Sequence, residues 1–238
     1  MLLRLPRSVS EAQECLAEGA VPVGGATLVW ATWQRDGFPD QAMSLRELPE
    51  ANVLGPEELG AAVVLHRIDE RVPGVLRRAA ATVGTGAVRR AATVGGNLVG
   101  SSLRCLLPAA LVLDARALVL DADGVHDTDL AEVTAKGPVL LGLRWHTPVA
   151  DAYRKLPGAA GGPPPLVVAL AVHTDGTGRH RLHVAVRDGY DVLSGSTGCD
   201  PGVRGVGQAL RTLRASVFSE LSGAAWEVVG QEAGGMDF

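Results

Sequence analysis

The residues of this chain best suited to hold a ligand are glycines. Arg89-Arg90-Ala91-Ala92-Thr93-Val94-Gly95-Gly96-Asn97-Leu98-Val99-Gly100-Ser101-Ser102 passes from a basic pair through a β-branched pair into a glycine doublet, an Asn and small hydroxyl residues. Adjacent glycines leave N–H groups unshielded by any Cβ and reach φ values other residues avoid. Successive exposed N–H groups form a concave anion site, which holds phosphate without a charged side chain. Asn97, Ser101 and Ser102 add short donors and acceptors suited to a sugar or ribityl chain. Taken alone, Gly-Gly-Asn reads first as a tight turn.

A second stretch changes the weighing. Val21-Pro22-Val23-Gly24-Gly25-Ala26-Thr27-Leu28-Val29 has the same form: a short apolar strand, a glycine doublet, a hydroxyl, then an apolar run. Two such loops could take the two ends of a pyrophosphate. Together they resemble the FAD-binding subunit or domain of the molybdenum hydroxylases, the group containing xanthine dehydrogenase and carbon monoxide dehydrogenase. The family's first loop typically reads Ala-Gly-Gly-Thr-Asp-Leu. Its second reads Arg-Asn-x-Ala-Thr-Ile-Gly-Gly-Asn-Leu, followed by Ser-Pro-x-x-Asp-Leu. This chain supplies Val23-Gly24-Gly25-Ala26-Thr27-Leu28 and Arg89 to Leu98, the second match being the specific one.

The resemblance implies an α+β fold, the FAD-binding fold of the molybdopterin dehydrogenase and vanillyl-alcohol-oxidase-like type. It implies an FAD-binding domain over residues 1–156, in two lobes of about 1–54 and 55–156, with the cofactor extended between them. A small C-terminal sheet-and-helix lobe would cover 164–238. Cofactor contacts fall on Val23, Gly24, Gly25, Ala26, Thr27 and Leu28 of the first loop, and on Thr93, Val94, Gly95, Gly96 and Asn97 of the second. Ser101, Ser102, Leu141 and Lys155 complete the set. Lys155, following Tyr153, matches a basic residue that lies near the flavin in the family, where a cation would stabilise negative charge on the reduced ring; the alternative is a solvated basic pair. Arg89 is a surface arginine, a charge compensating the pyrophosphate, or a brace for the loop.

The same resemblance implies an oxidoreductase subunit with no catalytic side chain of its own, because the flavin carries the chemistry. Its partners would be a molybdopterin-binding large subunit, a [2Fe–2S] small subunit and an external electron acceptor. Departures are evident: the family's Asp falls on Leu106, its Pro on Leu103, and Leu156-Pro157-Gly158 replaces a pair of arginines. Two other classes stay open. One is a stand-alone flavin oxidoreductase acting on a small molecule; the other is a weak-binding or flavin-free relative with a structural role.

The elements that must position these loops follow from pattern. Ser8-Val9-Ser10-Glu11 is a capping box for a helix to about residue 18, with Gly19 at its end. Residues 21–23 read as a short buried strand, 45–48 as a helical turn, and 53–54 and 61–65 as two strands. Val75, Leu76, Ala79, Ala80 and Val83 recur at helical spacing behind Pro73. A buried helix over 108–113 precedes strands 117–120 and 125–128, joined at Asp121-Ala122-Asp123-Gly124. The nearly all-apolar run 139–145 reads as a central strand. A Pro/Gly-rich boundary spans 157–165. A hairpin over 166–172 and 181–187 follows, with Arg181, His183, Ala185 and Arg187 on a wet face. A helix over 203–221 and a frayed last dozen residues complete the chain.

Composition excludes several classes. The 238 residues are 47% apolar and 20% charged, an ordinary globular balance. A net charge of −4 gives no electrostatic footprint for nucleic acid or an anionic membrane. Cys15, Cys105 and Cys199 form no Cys-x-x-Cys, which argues against a thiolate metal site or an iron–sulfur cluster. The first residues lack a signal-peptide core and no apolar run spans a bilayer, so a cytoplasmic protein is expected. Gly84-Thr85-Gly86 is followed by Arg89 where a dinucleotide fingerprint needs Gly, and no Walker Lys follows either doublet. His180 and His183 point to opposite faces of a strand, and His66, His126, His146 and His173 are scattered.

Overall fold

In the computed structural model, which describes residues 1–158 and 161–236, strand β1 (Leu2–Arg4) leads to helix α1 (Val9–Ala17). The Ser8 hydroxyl accepts the Glu11 N–H at 3.2 Å, and the Glu11 carboxylate takes the Arg7 N–H at 2.8 Å. Gly19, at φ 82°, ends the helix as expected of a left-handed terminator. Strand β2 (Val21–Pro22) follows, exposed where a buried strand was expected. Its position explains this: it is an edge of the parallel three-stranded sheet β1-β3-β2, whose centre is β3 (Gln41–Met43). Between them runs an unanticipated helix, α2 (Val29–Asp36).

Strand β4 (Glu58–Gly60) occupies residues expected to form a loop. The run 61–65 is correspondingly not a strand: it makes one bridge, Val64 to Thr93, and passes into a 3-10 turn at Leu65–Arg67. Helices α3 (Gly74–Ala81), α4 (Gly86–Ala91) and α5 (Leu107–Val112) come next, the third buried as its apolar sequence requires. Strands β5 (Arg116–Asp121) and β6 (Gly124–Asp129) form the expected hairpin, then come α6 (Leu130–Lys136) and β7 (Val139–Arg144). Strands β8 (Ala150–Lys155), β9 (Val167–Thr174), β10 (His180–Asp188) and β11 (Asp191–Cys199) precede α7 (Val203–Ser216) and α8 (Gly223–Gly234). Helix α7 stops short of residue 221. Ser222 caps a new helix there by accepting the Ala225 N–H at 3.2 Å, so the tail expected to fray is helical as far as Gly234.

The chain divides into two compact units. The first comprises Met1–Val72, Val83–Arg104 and Ala115–Trp145. In it the antiparallel sheet β4-β7-β5-β6 places β7 in the interior, consistent with its apolar run. Leu118, Leu120 and Leu141 pack with Met43, Leu48 and the α1 residues Ala12 and Cys15 in one core.

The second unit comprises Pro73–Thr82, Cys105–Asp114 and His146–Phe238. Its antiparallel sheet runs β11-β10-β9-β8, and the Pro/Gly-rich segment connects β8 to β9 within that sheet; Ala159 and Ala160 there, and Asp237 and Phe238, lie outside the described residues. Val168, Leu170, Val172, Val184 and Val186 pack under α7 and α8. The other face is wet only at Arg181, near the start of β10. Helices α3 and α5 cover it, so Ala185 and Arg187 are fully buried and His183 is 9% exposed. Alternation identified the two faces correctly, but helices from an earlier part of the chain cover the polar one.

Candidate functional site

The first glycine loop leaves β2 with the Val23 N–H donating to the Met43 carbonyl at 2.8 Å. From there to α2 the main-chain donors are unused. The N–H groups of Gly24, Gly25, Ala26, Thr27 and Leu28 have no acceptor among the described residues. Ala26 is left-handed at φ 54°, and Leu28, the N-cap of α2, is right-handed at φ −111°, ψ −49°. Directly adjacent left- and right-handed residues turn successive N–H groups to one side as an anion nest; here Thr27 stands between the two. No side chain caps α2, so its first turn adds further donors at the same end. The segment is open to solvent at Gly24, Thr27 and Leu28.

The glycines themselves answer a packing demand. A Cβ built on Gly25 would lie 2.9 Å from the Ala92 nitrogen and closer still to the Ala91 carbonyl carbon and oxygen. One built on Gly24 would run into the Thr93 hydroxyl. The first loop is therefore seated directly against residues 91–93, which lead into the second doublet.

The second loop differs from expectation in its donors. The Val94 N–H donates to the Val63 carbonyl at 3.0 Å, that of Gly95 to Ala61 at 2.8 Å and that of Asn97 to Thr93 at 3.0 Å. The Gly96 N–H donates to the Thr93 hydroxyl at 3.1 Å. The expected clasp of bare amides at both doublets thus reduces to one side: four successive amides here are engaged within the protein. Thr93 and Asn97 are buried. Residues Gly96–Gly100 wind as a π-helix, a wide turn frequent at functional sites. Arg89 acts as a brace, donating from Nη1 to the Val83 and Gly84 carbonyls at 3.0 Å each.

The remaining expected residues are placed variously. The Ser101 hydroxyl accepts the Leu103 N–H at 3.3 Å, and Ser102 is exposed. The Leu141 side chain is fully buried in the core of the first unit, and its carbonyl accepts the Ala61 N–H at 2.7 Å. Lys155 belongs to the second unit, where Nζ donates to the Thr82 carbonyl at 2.9 Å. It is not a freely solvated cation. The Tyr153 hydroxyl stands 3.1 Å from that of Thr82, and burial pushes its pKa up to about 12. Arg187, wholly buried, donates to the Pro165 carbonyl at 2.9 Å and to the Cys105 Sγ at 3.5 Å. Leu106, in place of the family's Asp, is fully buried and offers no polar atom from its side chain.

Two features were not read from sequence. Trp30, Trp33 and Phe38 form an aromatic group on and just after α2. His146, His173, His180 and His183 line one cleft of the second unit, the His173 and His183 rings being 5.1 Å apart. Strand register explains this gathering: His173 lies opposite Arg181, two residues from His183 on the same face. Among the described residues no group of three or more His, Cys, Asp or Glu side chains is placed to hold a metal ion. Nor is any helix of theirs long and apolar enough to cross a membrane.

The structure is thus a mixed helix-and-sheet scaffold carrying a run of unused main-chain amides, a feature able to receive an anionic group. The chain belongs to the family of FAD-binding domains of molybdopterin dehydrogenases, whose model matches residues 3–138, more than half of its length. No curated protein matches it. Among solved structures, quinoline 2-oxidoreductase from Pseudomonas putida 86 is similar with a TM-score of 0.73 at 18% identity, over 99% of this chain and 97% of that one. A Cu,Mo-CO dehydrogenase is similar at 0.72 and 18%, over 98% and 94% of the two chains. CO dehydrogenase from Oligotropha carboxidovorans gives 0.71 and 17%, over 98% and 95%. At these identities the likeness establishes the fold. The cofactor of the family is FAD, and the free amides of residues 24–28 fit its diphosphate.

Proposed function

We propose that this chain is the flavoprotein subunit of a molybdenum-hydroxylase-type oxidoreductase, standing between a [2Fe–2S] subunit and an external electron acceptor. The observation that carries the reading is the run of five unpaired amides from Gly24 to Leu28, with a left-handed Ala26 inside it, in a member of this family. FAD bound there supplies the exchange of electrons between partner and acceptor. The chain's own residues bind and orient. Amides 24–28 hold the diphosphate, the Thr27 hydroxyl at the exposed rim is free to join them, and residues 91–97 fix the loop from behind. Lys155, held on the Thr82 carbonyl, keeps a positive charge at a fixed place in the second unit. A molybdopterin subunit and a [2Fe–2S] subunit, both by family resemblance, complete the enzyme.

The departures give the flavin-free reading a specific basis, since Leu106 lacks a carboxylate and the second loop's amides are engaged. The purified protein decides. The expected result is a yellow protein that releases FAD on denaturation and turns over no substrate by itself. It should copurify with molybdopterin and [2Fe–2S] chains when the complete enzyme is isolated. A colourless protein that stays so with added FAD would refute the proposal in favour of a structural subunit. Turnover of a small molecule by the isolated chain would refute it in favour of a stand-alone enzyme.

A further inference from the structure

The cradle runs straight into an aromatic surface that the first unit leaves uncovered. Helix α2 has no buried residue, and Leu28, Trp30 and Phe38 are 53%, 48% and 43% exposed. The Trp30 N–H donates to the Ala26 carbonyl at 3.1 Å, so Trp30 stands one turn beyond the left-handed residue of the cradle. Helical Cα–Cβ bonds tilt toward the N-terminus, and the surface a helical side chain covers lies over the preceding turn. Trp30 lies in the first turn of α2, next to the free amides in the chain, and its ring contacts that of Phe38.

The ring is held in place. Gly37, at φ 103°, ends α2 and reverses the chain, bringing the Phe38 ring to 5.2 Å from Trp30 with planes 70° apart. Trp33 lies 6.1 Å from the same Phe38 ring. A T-shaped pair covers at most one face of either ring, so Trp30 keeps a face for a third. No charge of the helix competes there, since Arg35 and Asp36, at its far end, pair with each other at 2.7 Å.

We propose that Trp30 is the platform on which the adenine of FAD stacks, with the diphosphate on amides 24–28. The proposal rests on the cradle reading given above. A purine is the occupant because it is the flat group joined to that diphosphate through a ribose, on the side away from the flavin. FMN has no such group, so Trp30 selects the dinucleotide. Stacking reads a π-face and no hydrogen-bond edge, so GDP competes about as well as ADP.

The test uses the full chain freed of flavin, titrated with FAD, FMN, ADP, GDP and pyrophosphate by calorimetry, and followed by quenching of tryptophan fluorescence. Trp30→Ala is expected to weaken ADP and FAD by roughly 5- to 150-fold, the range of one base–aromatic stack. FMN and pyrophosphate should bind unchanged, and Trp30→Phe should retain most of the affinity. Equal ADP binding by Trp30→Ala and wild type overturns the platform while leaving the cradle. Equal losses for FMN, pyrophosphate and ADP in a folded Trp30→Ala protein also overturn it, making Trp30 a support of the loop. If the wild type binds neither ADP nor FAD, the cradle reading fails first and the platform with it.

Discussion

Replacing Gly25 by alanine tests the seat of the first loop most directly. The added Cβ would meet three main-chain atoms: the Ala92 nitrogen at 2.9 Å, and the Ala91 carbonyl carbon and oxygen, both nearer. Ordinary contacts of a methyl group begin at about 3.5 Å. A side-chain neighbour would rotate away, but these atoms cannot, and the Ala91 end of α4 is held by the Ala92 N–H donating to the Val88 carbonyl at 2.7 Å. The loops must therefore separate. Overpacking in cores that can adjust costs about 1–3 kcal/mol, and a clash with main chain belongs at or above the top of that range. At about 3 kcal/mol, a chain of this size loses roughly 6–12 °C in Tm.

The assay is a thermal melt with and without FAD, read beside flavin occupancy from the visible spectrum. Gly25→Ala is expected to lose both stability and flavin. Gly100→Ala, whose Cβ meets nothing within 4 Å, is expected to change neither. Gly96→Ala meets only the Thr93 hydroxyl at 3.1 Å, and its N–H already donates to that oxygen, so it should keep most of its flavin. The reasoning is refuted if Gly25→Ala melts with the wild type and holds FAD. It is equally refuted if a well-folded Gly96→Ala is empty, for then the second loop would be the principal donor.

Three further outcomes follow from single side chains. Ala26→Gly should stabilise the protein by about 1 kcal/mol, because glycine takes φ 54° without the cost an L side chain incurs; it should keep its flavin, and a fall in Tm would contradict the left-handed turn. Tyr153→Phe removes the hydroxyl contact to Thr82 and should cost about 1 kcal/mol in urea unfolding. In an alkaline absorbance titration the wild type should show a tyrosine ionising at about 12 that the variant lacks. Burial first, then His173, hold the His183 imidazole down at about 4, with Arg181 adding to them and Asp114 opposing. Its folded value lies below the unfolded one, so the neutral ring's contribution is complete above about pH 6.5 and is lost as pH falls toward 4, up to about 3 kcal/mol. His183→Gln should flatten that slope in urea titrations at pH 7 and 4.5, and an unchanged slope would refute it.

What sequence revealed, and what it hid, divides along a physical line. Features set by a few neighbouring residues were legible: the Ser8 cap, the Asp121–Gly124 turn, the buried α5, and the interior β7. So were the two glycine loops, because a doublet between apolar runs is itself a local pattern. Features set by distant packing were not. Residues 61–65 look like a strand, yet their carbonyls at Ala61 and Val63 serve the Gly95 and Val94 amides, which leaves only a bridge. Beyond the exposed Arg181, the polar-looking face of β10 is buried because α5 returns to cover it. Arg187 illustrates the limit: alternation marks it as solvated, but the chain buries it completely and gives it the Pro165 carbonyl. Sequence did not show which amides of the two loops remain free, since for Val94 and Gly95 that depends on acceptors at Val63 and Ala61, far back in the chain.

A cradle of main-chain amides changes what divergence can do to a binding site. Where a carboxylate grips a ligand, one substitution abolishes the contact, and Leu106 shows such a replacement absorbed into apolar packing. An amide at Gly24 to Leu28 depends on no side chain of its own. It depends on the left-handed turn at Ala26 and on the seat of Gly24 and Gly25 against Ala91 to Thr93. Those are requirements on volume and backbone, and many sequences meet them provided the doublet stays glycine. The second doublet is fixed for a related reason: a Cβ on Gly95 would press on Ala61 at 3.0 Å, in the segment that receives its amide. Each glycine pair is thus tied first to its own protein neighbour.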